Sequence, residues 1–154
     1  MLNQSIVFFW LLIKDRLSTK NILRRKNMEL NSYNCALCNA LTEESSYHPF
    51  VDCSFARMCW DIIGVEITDG NHFPELTSML RSQLNSRFFM ETIILLCWTI
   101  WTARNDLIFR GLRRNREDCK ELLFKELNLL QHRLKQGQEH QFDTWIQSLV
   151  SSAA

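Results

Sequence analysis

Apolar residues recur at helical spacing in two long segments of the carboxyl-terminal half of the chain. From Arg87 to Phe109 they lie three or four positions apart, in a stripe wide enough for a helix that is buried on more than one side. Gly111 is expected to end this helix, and Asn115 is expected to cap a second one that reaches about Gln136. The seam of the second helix consists of leucines at four-three-four spacing, namely Leu123, Leu127, Leu130 and Leu134. The pattern predicts a long helical hairpin in which this seam packs on the preceding helix.

The amino-terminal half opens with a segment that is almost entirely apolar. Ser5 to Arg16 contains eight consecutive apolar residues, which predicts a helix that is buried on most faces or docks on something outside this chain. Ser18 resembles an N-cap for a short second helix over residues 19–26. This half of the chain therefore begins with a predicted helix pair.

The segment between the two halves is the most loop-like part of the chain. Val65 to Ser86 carries Asp69-Gly70-Asn71 and Pro74, with room for a single helical turn around Leu76 to Leu84. We predict a module over residues 1–64, a linker over 65–86 and a helical hairpin extension over 87–154. The extension would close with a short helix that contains Phe142, Trp145, Ile146 and Leu149.

Composition supports a mainly α fold and weakens one functional class. Four Gly and two Pro in 154 residues favour long helices over a sandwich or barrel. Eighteen basic and seventeen acidic side chains leave a net charge of +1. Tight nucleic-acid binding by the whole chain is not indicated, so such binding must depend on local patches.

The polar segment before the central linker contains a compact set of metal ligands. Cys35, Cys38, His48 and Cys53 follow the pattern Cys-x2-Cys-x9-His-x4-Cys. Three thiolates and one imidazole complete a tetrahedral zinc site and leave no position for a catalytic water. Cys53 opens an apolar helical pattern that ends at Gly64, and the positive end of this helix dipole favours the thiolate. The alternative is a chance spacing of buried thiols and a surface histidine.

The other reactive residue types do not assemble a second site in the sequence. Cys59 lies about a turn and a half beyond Cys53 and could substitute as a metal ligand, but a buried, inert thiol is the better explanation. The same explanation applies to Cys97 and Cys119. No Asp-Asp pair is present for two-metal polymerase chemistry. The order of ligands also excludes a zinc deaminase, which needs His-x-Glu before its Cys pair. We therefore predict no enzyme activity and no small-molecule substrate.

Cysteine use and hydropathy indicate an intracellular protein. Six cysteines in a chain of this length, without a recognisable signal peptide, favour reduced thiols over a disulfide scaffold. The apolar runs Ile6–Ile13 and Ile93–Trp101 are much shorter than the roughly 20 residues that span a bilayer. We expect the nucleus or the cytoplasm, with no membrane partner.

Several of these segments together resemble a known domain. They are Phe9-Trp10 through Leu17, Thr19 to Arg25, Asn34-Cys-Ala-Leu-Cys38, His48, and Asp52-Cys-Ser-Phe-Ala56 followed by Trp60. In this combination they resemble the reverse-transcriptase zinc-binding domain of plant LINE-type retrotransposon polyproteins. Trp98 to Asn105, through Phe109 and Gly111, is similar to the helical region that follows it. The resemblance implies zinc ligation by Cys35, Cys38, His48 and Cys53, and implies no catalytic residue.

The resemblance also suggests a polymerase or a nucleic acid as partner, and two sets of residues are candidates for contacting a nucleic acid. A module of this family would assist a reverse transcriptase by docking on the polymerase or by binding RNA or DNA. The densest basic cluster consists of Arg110, Arg113, Arg114 and Arg116, which could contact phosphates. Three aromatic residues could stack on bases, but their spacing favours packing in the core: Trp98, Trp101 and Phe109. Arg104-Asn105 is expected to reach back to helix ends or carbonyls. The alternatives are a protein-interaction scaffold that uses the apolar helices, or a degenerate fragment with no activity.

Overall fold

The computed structural model of the chain describes residues 2–67, 78, 79, 81–83, 88–131, 141 and 144–148. Its helices are α1 (Leu2–Ile13), α2 (Lys20–Arg25), α3 (Ser54–Ile62), α4 (Phe89–Arg110) and α5 (Arg116–Gln131). A five-residue π-helical segment, His48–Asp52, precedes α3. Residues 78–79, 81–83 and 144–148 are also helical. Among the described residues the only β pairing is an isolated antiparallel bridge between Asn34 and Glu43. The predicted mainly α fold is confirmed.

Helices α4 and α5 form the predicted hairpin, and the rest of the fold is built on it. Helix α1 and the π-helical segment pack on α4, while α3 packs on both hairpin helices. Leu123, Leu127 and Leu130 are buried in the seam as predicted. Leu134 lies outside the described residues, as do residues 132–136 of the predicted second helix.

The ends of the hairpin helices follow the predicted signals. Gly111 takes the left-handed conformation, with φ of 64°, and its N–H donates to the carbonyl of Leu107. Asn115 and Asp118 form a reciprocal cap: Asn115 Oδ1 accepts from the Asp118 N–H at 2.8 Å, and Asp118 Oδ2 accepts from the Asn115 N–H at 3.0 Å. Both ends are therefore fixed by residues next to them in the chain.

The first helix pair differs from the prediction at its boundaries. Helix α1 ends at Ile13, three residues early, where Asp15 takes a left-handed φ of 54°. Thr19, and not Ser18, is the N-cap of α2, and it makes no side-chain capping bond. The Lys20 N–H donates instead to the Glu44 carboxylate at 2.9 Å. The Ser18 prediction is wrong because a residue 24 positions away supplies the acceptor that the local side chain was expected to supply.

Aromatic residues from both halves meet in one core. The Phe8 ring lies 5.8 Å from the Phe50 ring and 5.5 Å from that of Trp98, and Phe50 is also stacked against Trp101. The Trp60 indole N–H donates to the Phe50 carbonyl at 2.8 Å and joins the π-helical segment to α3. Core packing is thus confirmed for Trp98 and Trp101. It is wrong for Phe109, whose side chain is 74% exposed.

Within the described part of the chain, none of the helices has both the length and the apolar character that crossing a membrane requires.

Candidate metal centre

Two short backbone devices place the four predicted ligands. Around the Asn34–Glu43 bridge, the Cys35 N–H donates to the Thr42 carbonyl at 2.8 Å, which fixes the turn that carries Cys35 and Cys38. On the other side, the Cys53 N–H donates to the His48 carbonyl at 2.8 Å, a bond that spans five residues and is typical of a π turn. This wider turn brings a His and a Cys five positions apart to one face.

The four side chains converge on one point. One ligand atom from each of Cys35, Cys38, His48 and Cys53 lies within 4.8 Å of the other three. The Sγ atoms of Cys35 and Cys53 are 3.9 Å apart, and Cys38 Sγ lies 3.3 Å from His48 Nε2. A tetrahedral zinc with bonds of about 2.3 Å to sulfur and about 2.0 Å to nitrogen would place such pairs about 3.5–3.8 Å apart. The donor set therefore fits a tetrahedral zinc ion in composition, and these two pairs are close to the spacing that such an ion requires.

A carboxylate that the sequence did not single out as functional lies beside the histidine ring. His48 Nε2 faces the cysteines, while Nδ1 is buried without a hydrogen-bond partner and lies 3.7 Å from Asp52 Oδ2. Asp52 Oδ1 in turn pairs with Arg57 at 3.3 Å. Metal-bound histidines commonly direct their second nitrogen at a carboxylate, which fixes the tautomer and raises the basicity of the ring.

The electrostatics of the cysteine pair favour a thiolate at Cys53. Hydrogen bonding to Cys35 lowers the pKa of the Cys53 thiol, and the backbone N–H groups of Phe55 and Ala56 lower it further. Hydrogen bonding to Cys53, followed by burial, raises the pKa of the Cys35 thiol. This agrees with the expectation that Cys53 ionises readily at the start of α3.

The remaining cysteines lie outside this cluster and are buried as expected. Burial raises the pKa of Cys97 to about 12. Hydrogen bonding to Cys119, followed by burial, raises the pKa of Cys59, whereas the same contact lowers the pKa of Cys119. Cys59 and Cys119 thus face each other across α3 and α5 and do not join the four predicted ligands.

A second unpredicted residue fastens the metal loop to the helical hairpin. The metal loop is the segment from Cys35 to Cys53, and Glu44 lies in it between Cys38 and His48 in the sequence. Glu44 is fully buried, and Arg104 of α4 donates to both of its carboxylate oxygens, at 3.1 and 2.7 Å. Arg104 also lies over the Trp101 ring and donates to Asn105 Oδ1 at 2.9 Å. Arg104 was expected to reach back to helix ends or carbonyls. Its acceptor is instead the carboxylate that also binds the first amide of α2.

Comparison with known proteins agrees with this geometry. Residues 2–60 match the model of the family described as zinc-binding in reverse transcriptase, so the domain that the sequence resembles is confirmed over that span. The matched domain is the zinc-binding part of a reverse transcriptase and not its catalytic part. No curated protein and no solved structure gives a significant match to the chain.

Proposed function

We propose that Cys35, Cys38, His48 and Cys53 bind one structural zinc ion and that the resulting module is non-catalytic. The observation that carries this proposal is the convergence of three sulfurs and one imidazole nitrogen within 4.8 Å. Four protein ligands fill a tetrahedral shell, so no position remains for a water that would act as a nucleophile. The ion would supply the free energy that holds the loop between α2 and α3 in place.

Cobalt substitution tests this ligand set directly. Refolding the protein with Co²⁺ should give the intense visible bands of a tetrahedral site and the charge-transfer absorption of cobalt–thiolate bonds. Cys53→Ser should weaken both, while Cys97→Ala, which changes a buried cysteine outside the cluster, should preserve them. Octahedral-type weak bands in the wild type would reject the assignment.

We further propose that the module derives from a plant LINE-type retrotransposon polyprotein and aids the nucleic-acid binding of a reverse transcriptase, in the nucleus or the cytoplasm. The family match supports the link to reverse transcriptase. Mobility-shift titration at two salt concentrations tests the binding, because phosphate contacts make affinity fall steeply with salt. Absence of salt-dependent binding in the micromolar range would end this part of the proposal.

A protein-interaction scaffold is the second candidate, and a specific surface favours it. Ile6, Val7, Trp10 and Ile13 lie on the outer side of α1 and are each about half exposed. Their spacing is that of one helix face, and contiguous apolar surface often marks a contact with another protein. A monodisperse monomer in light scattering that captures no polymerase partner would count against this candidate.

A further inference from the structure

A cleft opens between α2, with the loop that follows it, and the carboxyl-terminal part of α4. Its volume is about 450 Å³, and its apolar wall includes Leu23, Leu30, Trp101 and Ile108. Asn31, Ser32 and Asn105 add side-chain donors and acceptors. Clefts of this size with an apolar wall and a few polar groups are typical of ligand sites.

Phe109 is the most unusual residue of this cleft. It lines the cleft, yet it is 74% exposed. Burying a phenylalanine normally contributes about 1.5–3 kcal/mol, so an exposed ring beside an open cleft is a surface on which a planar ligand gains binding free energy. Phe109 also lies one helical turn beyond Asn105, which lines the same cleft.

The residues that line the cleft include positively charged side chains and none that carries a carboxylate. The lining includes Lys20. Arg104 adds little net charge because Glu44 neutralises it. The two segments that form the cleft continue into Lys26 and Arg113, which have no ion-pair partner among the residues that the structure describes.

A peptide fits the same surface less well. The described residues offer no strand whose free edge could pair with an extended peptide. A docked helix would need a groove with apolar anchor sites one and two turns apart, whereas the strongly exposed ring among the residues that line this cleft is that of Phe109 alone.

We propose that this cleft holds one unstacked base of a single-stranded nucleic acid, with the base on the Phe109 ring and the neighbouring phosphates near Lys26 and Arg113. The inference rests on the proposed nucleic-acid function and assigns it a place and a strand type. It puts the contact on α2 and α4, outside the zinc ligands.

Fluorescence anisotropy with labelled single strands of about 12 nucleotides, oligo-dT and oligo-U, tests the assignment on the zinc-loaded full chain. Phe109→Leu keeps an apolar side chain but removes the stacking surface, so affinity should fall roughly 5- to 150-fold. Phe109→Tyr keeps the ring and should bind within about twofold of the wild type. Leu129→Ala, at a 43% exposed leucine of α5 that does not line the cleft, should bind like the wild type.

The phosphate contacts have a separate readout. Because each phosphate contact on a single strand contributes about 0.7 to the slope of log affinity against log salt, Lys26→Gln with Arg113→Gln should reduce this slope by about 1.4. A labelled oligo-glutamate peptide carries the charge without the bases and should bind far more weakly than the oligonucleotides.

The outcomes distinguish failure of this inference from failure of the proposed function. Salt-dependent binding that Phe109→Leu leaves unchanged would overturn the cleft assignment while nucleic-acid binding itself stands. No binding of oligonucleotides by the folded wild type would overturn both. Equal or tighter binding of oligo-glutamate would replace the nucleic acid with an acidic polypeptide.

Discussion

The buried ion pair between Glu44 and Arg104 predicts how strongly the metal loop and the helical hairpin depend on each other. The two side chains are 0% and 5% exposed and are joined by two hydrogen bonds. Arg104→Met would keep most of the volume and leave the Glu44 carboxylate buried without its cation. Removing one member of such a pair typically costs about 3–5 kcal/mol, so we expect the free energy of unfolding to fall by about that much.

A double-mutant cycle separates the pair from its surroundings. In Glu44→Gln the remaining oxygen can still accept from the Lys20 N–H, and in the double variant no charge stays buried alone. The double variant should therefore be more stable than the sum of the single changes predicts, by about 1–3 kcal/mol. Urea denaturation, followed by tryptophan fluorescence at a fixed free zinc concentration, measures all four proteins.

An exposed ion pair of the same type serves as the control. Arg25 and Asp15 are 2.9 Å apart but are 58% and 48% exposed, so Arg25→Met should cost less than about 1 kcal/mol. A loss below about 1 kcal/mol for Arg104→Met, or strict additivity in the cycle, would refute the view that this pair joins the two halves.

Three further predictions follow from the metal centre and the helix ends. Excess EDTA should lower the melting temperature in differential scanning fluorimetry by many degrees, because structural zinc typically contributes about 10–16 kcal/mol of apparent binding free energy. An unchanged melting temperature would contradict a structural role for the zinc ion. Asp52→Asn should weaken zinc binding about 10- to 100-fold in a competition titration, because His48 would lose its neighbouring carboxylate. An affinity equal to that of the wild type would show that Asp52 does not contribute to zinc binding. Asn115→Ala should lower the free energy of unfolding by about 1 kcal/mol, whereas an unchanged urea midpoint would show that the reciprocal cap with Asp118 adds nothing.

Features determined by neighbouring residues could be predicted from the sequence. The spacing of Cys35, Cys38, His48 and Cys53 predicted the two ligand pairs, because one turn of backbone places each pair, and the four side chains do converge. The ends of the hairpin helices were likewise predictable, since the Gly111 conformation and the Asn115 cap involve only the adjacent turns.

Features that depend on distant contacts could not be predicted in this way. Glu44 lies in a polar stretch and carries no sign in the sequence that it becomes the acceptor for both Arg104 and the first amide of α2. Phe109 has the helical spacing of a core residue, but it lies in the last turn of α4 and is 74% exposed. The π-helical turn before Cys53 was also missed, because no sequence pattern distinguishes it from an ordinary loop.

The zinc content of the purified, reduced protein, measured by mass spectrometry, tests the central claim most directly. We predict one zinc ion per chain in the wild type and in Cys97→Ala, and its loss in Cys35→Ser/Cys53→Ser. A folded wild-type protein that contains no zinc after purification without chelator and supplementation with zinc would contradict the account.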